Sequence, residues 1–410
     1  MNKEITELAD CLTKSKTAYN FVDELSHRQG IEIIDGTYST LLANHTYLVK
    51  ISSSACILIK TPRQVTKGMG FNIFAAHTDS PALKLKPHFL LKDEHYTRLS
   101  TEVYGGPIIS SWLDIPLTLA GRVFIKDGET TTEKIINLKE PLFTIPNMPP
   151  HLETNINKGF IYNPQIDLLA LAPKDFSLEK YLDVPENSIL GHDLFLVPAM
   201  DAKIIGDDFI FANRIDDLAC VYVGLKAFID SVPQDKINIL CCFDNEEVGS
   251  RTKQGADSTH LNDMLDLIYE SFAYSQVDKL NALSHSFMIS ADNAHAVNPN
   301  HIEKFDSLNK TYLNEGVVIK YNANQSYTSD GLSSAYFKSL CQSIDAPYQE
   351  FANRSDMRGG STLGNIALSH VSIPSVDIGL PQLAMHSTME VLGQKDVVEA
   401  IRIISAYFNR

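Results

Sequence analysis

Apolar residues along the chain fall into short continuous runs, each closed by a turn signal. The runs at 71–76, 236–243, 286–291, 316–321 and 373–378 are rich in β-branched and aromatic residues. Runs of that length between turns read as strands buried on both faces. Between them the apolar spacing lengthens to that of helices, as at 217–230, 331–344 and 397–408. Strand and helix in alternation predict an α/β fold, with a central mixed, largely parallel sheet covered by helices on both faces.

The texture changes over 92–198. Alternating β-type segments such as 122–126 appear, prolines cluster at Pro146, Pro149 and Pro150, and helical periods are few. This stretch is expected to be an inserted β-rich domain, which leaves 1–91 and 199–410 as one discontinuous catalytic domain.

The 410 residues include 44% hydrophobic and 21% charged residues, an ordinary balance for a soluble globular enzyme with a large core. Thirty-five Lys and Arg stand against fifty Asp and Glu, a net charge of −15 without a segregated basic stripe. Such a surface repels a phosphate backbone, so no nucleic-acid partner is expected. No apolar stretch is long enough to span a membrane, and the first twenty-one residues hold no uninterrupted apolar run of the kind a secretion signal needs. Six cysteines without a C-x-x-C pair read as thiols of a reducing compartment. A cytoplasmic protein is the expectation.

Candidate chemistry gathers where strands end. Ala75-Ala76-His77-Thr78-Asp79 runs an apolar strand into a His and then an Asp, which can accept from one ring nitrogen and leave the other free as a ligand. The same pattern is equally a turn with an incidental hydrogen bond. Asn213-Arg214-Ile215-Asp216-Asp217 opens a helix, where Asp216 is either a bridging carboxylate or a cap. Cys242-Phe243-Asp244-Asn245-Glu246-Glu247 places two adjacent glutamates after a buried strand, so that one carboxylate can bind metal while the other stays free as a base. Ser290-Ala291-Asp292 ends another strand on an acid, with His295 nearby, and Ala384-Met385-His386-Ser387 follows a Gly-Leu-Pro turn.

Two His, two Asp and one Glu form a nitrogen and oxygen ligand set suited to zinc. Five protein ligands exceed the three of a mononuclear catalytic site. They suit two metals that share one carboxylate.

In this order the segments resemble the aspartyl aminopeptidase-like M18 family of metallo-aminopeptidases, from about Ala75 to the C-terminus. The resemblance is carried by His-Thr-Asp-Ser-Pro, Asp-Asn-Glu-Glu-Val-Gly-Ser, Ser-Ala-Asp-x-Ala-His-Ala-Val and Pro-Gln-Leu-Ala-Met-His-Ser. In the insert, Tyr104-Gly105-Gly106-Pro107, Ser111-Trp112-Leu113-Asp114 and 119–123 are similar to family segments. The resemblance implies two Zn²⁺ per subunit, with Co²⁺ or Mn²⁺ possible in place of one. Asp216 would bridge them, His77 and Asp292 would complete one site, and Glu247 and His386 the other. It also implies Glu246 as general base, Asp79 as the partner of His77, and Lys320, Tyr327, Asp356 and Gly359 beside the substrate. His151 resembles a histidine lent to the neighbouring subunit, though the same residue is equally a loop histidine. The insert then serves dimerisation and substrate access, and dimers assemble into a tetrahedral dodecamer.

The implied function is release of N-terminal residues, acidic or neutral, from peptides with a free amine. Asn293 and Asn298 stand where Met and His are often found, and Ser326 where Arg is frequent, which weakens the attraction for an acidic residue. Two rivals are a related dinuclear deacylase acting on blocked substrates and an inactive homologue kept for assembly or binding. No G-x-S-x-G elbow supports a serine hydrolase, and Lys67-Gly68-Met69-Gly70 precedes a strand, which argues against a dinucleotide site.

Overall fold

The computed structural model describes residues 2–410. All five strands expected from the apolar runs lie in one nine-stranded mixed sheet, where they span Phe71–His77, Ile237–Phe243, Phe287–Ala291, Val317–Tyr321 and Ser375–Gly379. Ile237–Phe243, Phe71–His77, Phe287–Ala291 and Ser375–Gly379 are neighbours in that order and run parallel, so their carboxyl ends share one edge. Val317–Tyr321 pairs antiparallel to the last of them. The hairpin Thr46–Lys50 and Cys56–Lys60 extends the sheet beyond Ile237–Phe243, and Tyr348–Ala352 closes its other edge.

The strands are largely apolar because each serves two cores, and the polar residues in them, such as Asn72 and Asn238, are hydrogen-bonded to each other and to the carbonyls of Tyr407 and Phe408. Along Ile237–Phe243, Leu240 and Cys242 pack into the cluster under helices Lys3–Lys14, Ile215–Asp230 and Gln394–Phe408. Ile239, Cys241 and Phe243 face the cluster under His260–Ser271 and Leu363–Leu368. Each fully buried Ile or Leu contributes roughly 1.5–3 kcal/mol, so a polar residue on either face would be costly. Gly224 brings Ile215–Asp230 close to the sheet: a Cβ there would lie 2.6 Å from the Phe74 ring. That approach carries the helix start to the end of Phe71–His77.

A second, six-stranded antiparallel sheet holds its own core around Trp112. Its strands include Leu117–Asp127, Ile189–Pro198 and Thr97–Tyr104, and it begins with Ala82–Lys92. The sheet therefore starts ahead of the division placed at Lys92, because Ala82–Lys92 pairs with Thr97–Tyr104 and Ile189–Pro198 rather than with the central strands. A third sheet of five short strands was not expected. It links Ala294–His295, Pro381–Leu383 and Glu390–Gly393 to Phe209–Ala212 and Lys203–Ile205, at the open edge of the parallel strands.

All six cysteines are free thiols. Among the described residues, no helix is long and apolar enough to cross a membrane.

Candidate metal centre

His77 is the last residue of its strand and is fully buried. Its Nδ1 lies 3.2 Å from the carbonyl oxygen of Asp79 and 3.3 Å from Asp79 Oδ1. With acceptors on that side the proton belongs on Nδ1, and the lone pair of Nε2 points at Asp216 Oδ1, 3.5 Å away. Asp216 stands at the start of Ile215–Asp230, just after Arg214 in the left-handed region. The chain turns there before the regular helix begins, which aims the carboxylate into the centre instead of at the helix N–H groups. Asp216 therefore does not act as a cap.

His386 repeats the arrangement from a loop. Its Nδ1 donates to the carbonyl of Gly106 at 3.0 Å, and its Nε2 lies 3.4 Å from both Asp216 Oδ2 and Glu247 Oε1. Glu246 and Glu247 occupy the short 3₁₀ turn Glu246–Val248, which follows Ile237–Phe243 through a left-handed Asn245. Asp79 holds this turn: its Oδ1 accepts the N–H of Glu246 at 3.1 Å and its Oδ2 that of Glu247 at 3.2 Å. Asp292 directly follows Phe287–Ala291, and Lys320 donates to its carbonyl at 2.6 Å while lying 3.8 Å from its carboxylate.

The donor atoms form three groups, each lying within 4.8 Å: two share Asp216, namely His77, Asp216 and Asp292, and Asp216, Glu247 and His386, and the third is His77, Glu246 and Glu247. Buried Asp216 Oδ1 and Glu247 Oε1 have no hydrogen-bond partner. Each imidazole Nε2 thus faces carboxylate oxygens across a contact that needs either a shared proton or a cation in its place. Zinc bonds of about 2.1 Å in a tetrahedral shell put neighbouring ligand atoms about 3.4 Å apart. The separations of 3.4 and 3.5 Å match that edge. The residues fit zinc.

Electrostatics agree. Burial, reinforced by the charges of Asp292, Asp79 and Asp216, pushes the Glu246 carboxyl up to about 8, with His77 opposing. Burial and the charge of Asp216 raise Glu247 as well, while burial lifts Asp292 to about 6 against the pull of Lys320. Burial alone would lower His386, yet its contact with Asp216 and the charges of Glu247 and Asp216 raise it to about 10. Without a cation these groups compete for protons, as a cluster built around positive charge must.

The centre opens into a cleft of about 220 Å³ lined by Asp216, Glu246, Glu247, Asp292 and His386 on one side and by Lys320, Tyr327, His295 and Phe351 on the other. Lys320 Nζ sits 5.1 Å from the centre of the Tyr327 ring, close enough for a cation–π contact. His77 and Asp79 lie behind the cleft wall, and three other residues singled out from the sequence lie away from the centre. Asp356 is turned to solvent in a two-point ion pair with Arg354 at 2.9 and 2.7 Å. Gly360 reaches the cleft wall, whereas Gly359 faces Asn353. His151 is exposed on the loop after Pro149.

Other contributors had gone unassigned. Buried Glu390 accepts the N–H of Asp216 at 3.1 Å and of His386 at 2.7 Å, one on each oxygen. Asp217 accepts the N–H of His77 at 3.3 Å, and burial pushes its own carboxyl well up. Tyr104 donates to Asp79 Oδ2 at 2.7 Å. Tyr104 and Asp217 both lie in segments that the sequence marks, though without a role for either. Glu390 acts on backbone N–H groups, which leave no residue pattern.

A family profile described as aminopeptidase I zinc metalloprotease (M18) matches residues 11–176 and 175–408. A relative in Clostridium novyi (strain NT), named a probable M18 family aminopeptidase 2, is 41% identical over 428 residues, covering 99% of this chain and 99% of its own. A chain in the cryo-EM structure of the Ape4 and Nbr1 complex superposes with a TM-score of 0.94 at 29% identity, over 99% of this chain and 85% of that one. A chain of the S. cerevisiae mApe1 dodecamer superposes at 0.85 with 23% identity, over 98% and 95% of the two chains, a likeness of fold.

Proposed function

The chain belongs to the M18 family of zinc metallo-aminopeptidases, and from that premise we propose that it releases N-terminal residues from peptides at a two-zinc centre with Glu246 as general base. The observation behind this reading is the sharing of Asp216 between two donor groups. His77 and Asp292 would hold one ion with it, and Glu247 and His386 the other, with Co²⁺ or Mn²⁺ able to replace one of the pair. Zinc there supplies positive charge that polarises a carbonyl and lowers the pKa of a water.

The remaining work falls to the chain. Glu246 lies outside both Asp216 groups, so its carboxylate is free to take a proton and return it to the leaving amine. Asp79 fixes the Glu246 backbone and the His77 ring together. The carboxylate-lined cleft attracts the α-amine of a peptide, which confines cleavage to the first residue. Lys320 beside Tyr327 lends that cleft positive charge once zinc offsets its carboxylates, which favours an acidic or neutral first residue over a basic one.

The same reading extends to assembly. Met148, Leu152, Ile161 and Ile166 expose apolar surface around the loop that carries His151, surface that a second copy would cover. A homo-oligomer of dimers in a tetrahedral dodecamer, with His151 serving a neighbour's site, accords with that surface and with the mApe1 dodecamer. Free thiols throughout accord with a cytoplasmic setting.

The test is a panel of aminoacyl-p-nitroanilides, each also in N-acetylated form. Release from the free compounds alone is expected, with acidic and neutral residues ahead of basic ones. Cleavage of only the acetylated compounds would replace this reading with the deacylase.

A further inference from the structure

The strand Thr97–Tyr104 of the six-stranded sheet ends against the metal centre, and its last residue and the next two touch both halves. Tyr104 Oη accepts from Asn245 Nδ2 at 2.8 Å, which turns its own proton towards Asp79 Oδ2 at 2.7 Å. That Asp79 faces Nδ1 of His77 and holds the backbone of Glu246 and Glu247. Two residues on, the carbonyl of Gly106 accepts from Nδ1 of His386 at 3.0 Å. The turn comes this near because Gly105 lies between: its φ is +71°, and a Cβ there would sit 3.1 Å from Glu247 Cβ.

A histidine offers a metal its Nε2 lone pair only while the ring proton stays on Nδ1, and the hydrogen bond at Nδ1 decides both the tautomer and the ring angle. We propose that Tyr104–Gly105–Gly106, a turn of the six-stranded sheet, is the positioning element of both metal-binding histidines, acting on His77 through Asp79 and on His386 directly. The inference rests on the two-metal reading above. It makes the second sheet part of the metal centre, so that a shift of that sheet alters metal affinity and ligand geometry together.

A plainer role would be docking. Thr388 donates its N–H to Ser111 Oγ at 3.1 Å and its hydroxyl to the Ser111 carbonyl at 2.8 Å, which joins the same two parts without touching either imidazole. Ser111→Ala is therefore the control for Tyr104→Phe, which removes a single oxygen atom. The experiment titrates Co²⁺ into the metal-free full chain of each variant, against a chromogenic chelator, and records the visible ligand-field bands.

Tyr104→Phe is expected to weaken cobalt binding by about 10–100-fold and to shift the bands. Ser111→Ala should bind and absorb like the unaltered chain. Equal affinity and identical bands for Tyr104→Phe would overturn the proposal while leaving the metal centre intact, as would an equal loss in Ser111→Ala. An unaltered chain that bound no cobalt would overturn the metal centre and the proposal with it.

Discussion

His386 Nε2 stands 3.4 Å from Glu247 Oε1, while its other ring nitrogen is engaged by the carbonyl of Gly106. Such a pair needs a proton or a cation between its atoms, and the second carboxylate oxygen at 3.4 Å, from Asp216, favours the cation. The same holds where His77 faces Asp216. Function here follows from hydrogen bonds that point away from the centre and leave lone pairs pointing in.

If Glu246 is the base and not a ligand, Glu246→Gln should retain zinc and its melting temperature while kcat falls by about 10²–10⁴. Turnover at the normal rate would remove Glu246 from that role. Loss of zinc would make it a ligand, for which its proximity to His77 and Glu247 leaves geometric room.

Glu390 places one oxygen on the N–H of Asp216 and the other on that of His386. Glu390→Gln presents an amide donor to one of those donors. We expect a loss of about 1–3 kcal/mol in stability and of about 10–100-fold in zinc affinity, read by thermal unfolding and chelator competition. Unchanged zinc affinity would mean that the two segments hold their places without it.

His151→Ala should form a stable oligomer with impaired turnover. Mixing it with Glu246→Gln subunits should restore part of the activity, because each variant then supplies what the other lacks. Full activity in His151→Ala alone would reject action on a neighbour.

Asp193 accepts Lys84 Nζ at 2.7 Å and Arg122 Nε at 2.8 Å. Burial works to raise its carboxyl, but the two cations hold it below its ordinary 3.8. The unfolded chain therefore binds its proton more readily, and the stability that this pairing gives is complete above about pH 4 and lost as pH falls through the folded value. Asp193→Asn should cost about 1–2 kcal/mol at neutral pH, after allowance for partial exposure, and the gap from the unaltered chain should close as pH falls through the lowered folded value. A gap independent of pH would show that packing, not charge, holds this corner.

What the sequence revealed depends on how each feature is built. Phe71–His77 and Ile237–Phe243 are legible because burial on both faces makes them apolar at all but Asn72, His77 and Asn238. His77 and Asp292 are legible because each closes or directly follows such a run. His386 follows a short strand and adopts a left-handed φ of 68°, so position alone did not mark it, and resemblance supplied its role. The third sheet escaped because Ala294–His295 and Pro381–Leu383 are too short to show a period and pair with distant segments. Ala82–Lys92 was divided from its partners because it follows the central strand Phe71–His77 after only a short turn, with no linker to mark a boundary.

Anomalous diffraction at the zinc absorption edge, from crystals of the zinc-loaded chain, addresses the central claim most directly. Two peaks about 3.5–4 Å apart are expected, one on each side of Asp216, with His77 and Asp292 at one and Glu247 and His386 at the other. A single peak, or zinc bound away from Asp216, would contradict the account.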